Sequence, residues 1–160
     1  MKPIGEIALL LELIDQGYGK RAWHGTNLRG SLRGLNVLQA VWRPAKGRHN
    51  IWEIAVHAAY WKYTVRRRLL GEKRGSFPLK GSNWFGSPVE PTERAWRNAV
   101  HLLDETHASM REAIASIPPR RLHTTPGGSK WTVVQVIHGI ASHDLYHAGQ
   151  IQLLKRLYSQ

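Results

Sequence analysis

Apolar residues recur along this chain at intervals of three and four, the spacing that gives a 3.6-residue helix one buried face. In residues 4 to 18, Ile4, Ile7, Leu11, Ile14 and Tyr18 predict an amphipathic helix that ends near Gly17 and Gly19. Residues 20 to 49 are rich in Gly, Arg and Asn, and Leu28, Leu32 and Leu35 predict only a short helical turn before Pro44. Asn50 and Glu53 have the spacing of a capping box, in which Asn accepts from a first-turn amide and Glu reaches back. They open a second long helix, on which Ile54, His57, Trp61, Val65 and Leu69 share one stripe.

From Gly71 to Pro91 the chain is rich in Gly, Pro and Ser yet carries Phe77, Trp84 and Phe85, and a loop of that length is expected to cover a functional site. Trp96, Val100, Leu103, His107, Met110, Ile114 and Ile117 then alternate in steps of four and three, the seam of a helical bundle, until Pro118 and Pro119 stop it. Thr132 and Gln135 form a second capping box. On the last helix Val136, Ile140, His143, His147, Ile151 and Leu154 line the inner face. No segment alternates as a strand does. The reading is an all-α four-helix bundle with long connections, in a single domain spanning residues 1–160.

Composition narrows the chemistry. Without cysteine there is no disulfide, no thiolate ligand and no cysteine nucleophile, so any metal must be held by nitrogen and oxygen. The N-terminal apolar run is broken by Glu12 and Asp15, and nowhere do 18 apolar residues follow one another, so a cytoplasmic protein without a membrane partner is expected. A formal charge of +12 attracts anions. The charge is scattered, however: Arg66 to Arg68, Arg120 with Arg121, and Lys155 with Arg156 sit near expected helix ends, where cations complement the helix dipole. Nucleic acid is therefore not the expected partner.

His143 and His147 are one helical turn apart and present two imidazoles to one side of the last helix. His57, inward on the second helix, can supply a third, giving three nitrogens with coordination positions left open. The alternative is three core histidines, each hydrogen-bonded to a carboxylate or carbonyl.

The segment Ile51-Trp52-Glu53-Ile54-Ala55-Val56-His57-Ala58-Ala59-Tyr60-Trp61 and the segment His143-Asp144-Leu145-Tyr146-His147-Ala148-Gly149-Gln150-Ile151, with Trp131-Thr132 opening the last helix, resemble the DinB/YfiT-like family of four-helix bundles. Helix order and the long connections fit over nearly the whole chain. The resemblance implies that His57, His143 and His147 bind one divalent ion per chain, zinc or nickel, with water on the open positions. It also implies a metal-dependent, thiol-using transferase or hydrolase that acts on a small molecule, and a homodimer. A non-catalytic metal-binding stress protein and a basic nucleic-acid-binding bundle are the alternatives.

Neighbouring residues have their own readings. Glu53 either fixes the His57 tautomer or only caps its helix. Asp144 and Tyr146 are expected to turn away from the His143/His147 line towards packing or dimer contacts, while Gln150 is placed to approach the site. His107 reads as a core histidine and only secondarily as a fourth ligand, and no general base is identified. His24, His49, His101, His123 and His138 receive no role. Trp23, Trp42, Trp52, Trp84 and Trp96 offer apolar surface for a dimer.

Overall fold

Asn50 and Thr132 cap the two helices that carry the histidines. In the computed structural model, which describes residues 5–127 and 129–160, the Asn50 side chain accepts from the Glu53 amide at 2.9 Å and the Glu53 carboxylate accepts from the Asn50 amide at 3.4 Å. Thr132 and Gln135 repeat the arrangement, with the Gln135 side chain accepting from the Thr132 amide at 2.9 Å. Among the described residues six α-helices follow one another: α1 (Glu6–Tyr18), α2 (Leu28–Ser31), α3 (Val37–Val41), α4 (Ile51–Leu70), α5 (Glu93–Ala115) and α6 (Val133–Tyr158). A 3₁₀ turn at Pro119–Arg121 separates the last two. No strand occurs among the described residues, so the expected all-α bundle is the fold. Ile4, assigned by spacing to the first helix, lies outside the described residues.

The long helices form a ring: α4 packs on α5 and α6, and α1 closes it by packing on the same two. Where α1 meets α6 the backbones approach closely, since a Cβ on Gly17 would sit 3.2 Å from the Ala141 carbonyl oxygen. Gly17 is thus a contact point as well as a helix-end signal.

The segment between α1 and α4 holds more structure than its sequence predicted. Asn27 caps α2, and Asn36 with Gln39 forms a third capping box that opens α3. These helices bury Leu28, Leu32, Val37 and Ala40. Four- and five-residue helices are too short to show a period, which is why the pattern suggested a turn.

Two apolar clusters fill the interior. One joins α2 and α3 to Ile51, Ala55, Leu103 and Ile151; the other joins Leu10 and Ile14 of α1 to Val65, Leu69, Met110, Ile114 and Ile137. Where they meet, the buried side chains are polar: Lys62, His107, Asp144 and His147. Asp144 therefore corrects its expectation, because it turns into the bundle and pairs with the Lys62 ammonium, the two side chains being 1% and 0% exposed. Burial pushes the Lys62 pKa down and that of Asp144 up, and each charge opposes the shift of the other. Lys62 Nζ also lies 4.8 Å from the centre of the Tyr18 ring, which stacks on His107 at 3.7 Å. Burial, reinforced by the charges of Lys62 and Arg111, holds the His107 pKa at about 3, so this is a neutral core imidazole.

The tryptophans offered as dimer surface are largely used within the chain. Trp52 and Trp96 are buried with ring centres 5.4 Å apart, and Trp42 meets Tyr158 edge-on at 5.6 Å. Of the five, Trp23 is the fully exposed one.

Candidate metal centre

Capping at Asn50 and Thr132 sets the phase of α4 and α6, and so decides where their histidines point. His57 on α4 faces His143 and His147 on α6, and the His143 Nε2 lies 3.1 Å from the Nε2 of each of the others. All three donor atoms fall within 4.8 Å of one another. The histidines picked out by spacing are thus brought together as one cluster, and His107 is not among its members.

The outer nitrogens fix which inner atoms are free. His57 Nδ1 is 2.7 Å from the Asn83 carbonyl oxygen, which can only accept, so the His57 proton sits on Nδ1 and its Nε2 lone pair points inward. His147 Nδ1 donates in the same way to Gln150 Oε1 at 2.7 Å. Gln150, placed near the site by its spacing, is the residue that orients His147. His143 Nδ1 is buried without a partner. With the protons of His57 and His147 on their outer nitrogens, a His143 proton on Nδ1 leaves three Nε2 lone pairs facing one another with no donor among them, a set that a central cation would satisfy.

This donor set fits a transition ion. Two nitrogens about 2.1 Å from one metal lie roughly 3.0–3.4 Å apart at angles of about 90–109°, which the two separations from His143 match at 3.1 Å, while the three together lie within 4.8 Å. Neutral imidazoles favour zinc or nickel over magnesium, which prefers oxygen. Burial, and next the proximity of His147 and His57, lowers the His143 pKa to about 3; burial lowers that of His147 to about 4 and also lowers that of His57. The imidazoles are therefore in their ligating form at neutral pH.

The loop between α4 and α5 covers the cluster, as its length and aromatics predicted. Phe77 and Phe85 pack with Tyr60 in an aromatic group that holds the loop on α4, with ring centres 5.3–5.4 Å apart. Asn83 takes a left-handed conformation at φ 66°, turning its carbonyl to His57 while its side chain accepts from the Trp61 indole at 2.9 Å. Trp84 lies flat on His57 at 3.8 Å, and His49 lies on the other face of that indole at 3.6 Å. His49 thus belongs to the surroundings of the site, contrary to the reading that gave it no role. Its position depends on a loop residue 35 places away, which no helical period reveals. Glu53 does not touch His57: it closes the α4 cap and binds Arg43 and His49.

Trp84→Ala removes the stacked cover while leaving the three histidines in place. Zinc affinity should fall about tenfold, within the range seen when groups that orient a ligand are lost. Competition with a chromophoric chelator measures it, and unchanged affinity would show that the indole is only packing.

Beside His143 the cluster opens to a cleft of about 770 Å³ between α4 and α6, whose walls include Trp61, Val65 and Ile140. No helix among the described residues is long and apolar enough to cross a membrane. Against known proteins, the model of the DinB superfamily matches residues 21–151. No curated protein and no solved structure matches the chain.

Proposed function

We propose, from the premise that this chain belongs to the DinB superfamily, that it is a metal-dependent transferase or hydrolase for a small molecule and uses a low-molecular-weight thiol as cosubstrate. The observation that carries the reading is the convergence of three imidazole nitrogens, two of them held in the inward-facing tautomer by Asn83 and Gln150. His57, His143 and His147 would hold one zinc or nickel ion. A divalent ion held by three neutral nitrogens supplies Lewis acidity, ionising a thiol or water near neutral pH.

The chain's own groups perform the remaining tasks. Asn83 and Gln150 keep the ring protons on the outer nitrogens. The Trp84 indole covers one face of His57 and keeps water from it. Among the described residues no Asp or Glu lines the cleft at His143, so a nucleophile formed there depends on a lowered pKa of its own and not on an adjacent carboxylate base. With no cysteine in the chain, the thiol must arrive with the substrate.

The test is turnover of electrophilic model substrates with several small thiols, using zinc- or nickel-loaded protein, metal-stripped protein and His57→Ala. Turnover confined to the loaded wild type and to particular thiols is expected. Equal rates in all three samples would reduce the reaction to background chemistry and leave a non-catalytic metal-binding protein.

A further inference from the structure

The cleft beside His143 is asymmetric in charge. Among the described residues its lining has no Asp or Glu, and its one arginine is Arg68. The neighbouring arginines of α4 are engaged: Arg66 pairs with the Glu72 carboxylate at 2.5 Å and Arg67 donates to the Glu72 carbonyl at 3.0 Å. The half-buried Arg68 guanidinium has no hydrogen bond or ion pair among the described residues. A planar guanidinium fork with open donors matches a carboxylate in geometry as well as in charge.

The position of Arg68 sets the length of what it would hold. Trp61 and His143 mark the end of the cleft at the histidine cluster. Arg68 stands seven residues further along α4, about 10 Å at 1.5 Å per residue. Between them the walls are mainly apolar, with Val65 on α4 and Ile140 on α6, while Gln135 and His138 add polar groups to the lining. A small inorganic anion would leave these walls wet, and a polar molecule would lose hydrogen bonds against them. An apolar body fills them, and the low local dielectric strengthens the ion pair at its end.

We infer that the cleft binds an elongated organic acid, free in solution, with its carboxylate on Arg68, its aromatic or aliphatic body along Val65 and Ile140, and its far end delivered to His143. This names the substrate class of the proposed enzyme and rests on that reading only for which end reacts; acid binding itself needs no metal.

The experiment is calorimetric titration of the full chain, both metal-stripped and zinc-loaded, with 6-phenylhexanoate, 6-phenylhexan-1-ol and 6-phenylhexylamine. The acid should bind best and the amine worst in both forms. Arg68→Gln should weaken the acid at least tenfold and leave the alcohol within twofold, while Arg68→Lys should fall between them because it keeps the charge and loses the fork. Melting temperatures check that both variants are folded. Equal binding of acid and alcohol, or an acid affinity unmoved by Arg68→Gln, would overturn the inference. So would a dimer that excludes the acid and dissociates in Trp131→Glu, an exposed residue of the cleft lining, since a second copy would then own the cleft. Failure to take up zinc, with the charge preference intact, sinks the enzyme reading and leaves the cleft assignment standing; zinc uptake without any charge preference does the reverse.

Discussion

Replacing His143 and His147 together by alanine should abolish stoichiometric binding of zinc. Three inward nitrogens would make the centre, and the double variant leaves His57 alone as a single nitrogen donor. The loss should be complete at micromolar protein, because no carboxylate or further histidine completes that cluster among the described residues. Metal content after dialysis against a weak chelator gives the stoichiometry, and far-UV circular dichroism checks that the helices persist. His107→Phe is the control: it lies in the stack on Tyr18, outside the cluster, and should retain a full complement of metal. Full occupancy in the double variant would mean that the ion binds elsewhere.

The largest effect on stability should come from Lys62→Met. The ammonium is the hydrogen-bond partner of a carboxylate that is 1% exposed, and the other oxygen of Asp144 already lacks one. Removing Lys62 leaves a buried acid with no counter-charge, which costs about 3–5 kcal/mol. Replacing both partners, as Lys62→Met with Asp144→Leu, should recover most of that loss, since two apolar side chains of similar volume need no solvation. Urea denaturation of the two variants measures the difference. A single variant as stable as wild type would show that water reaches Asp144 and that the pair is not sealed in the core.

The parts of this molecule written in short-range spacing were legible in the sequence. The boxes Asn50/Glu53 and Thr132/Gln135 announce α4 and α6, and helical phase then brings His57, His143 and His147 to the interior. What escaped depends on contacts between segments far apart in the chain. Asp144 looked like a residue beside the histidine line, yet the buried stripe of α6 runs through Ile137, Ala141, Asp144, Ala148 and Ile151, with His143 at its edge. A pattern that counts only apolar residues cannot place a buried carboxylate whose counter-charge lies 82 residues away. Glu53 offered two readings, and the Asn83 carbonyl excluded one by taking the His57 proton. The stack of His49, Trp84 and His57 was hidden for a similar reason, because a loop, and no helix, supplies its middle ring.

The separation of the clustered histidines along the chain also bears on folding kinetics. His57 and His143 are 86 residues apart, and their nitrogens meet only after α6 has docked on α4. Closing so long a segment carries its entropic cost before any bond across the cluster forms, so the cluster cannot serve as a folding nucleus built from local contacts. Contacts absent from the transition state act on the rate at which the native state opens, and scarcely on the rate at which it forms. An ion bound to these nitrogens would therefore act as a latch: refolding rates should be nearly indifferent to it, and the lifetime of the folded chain should lengthen.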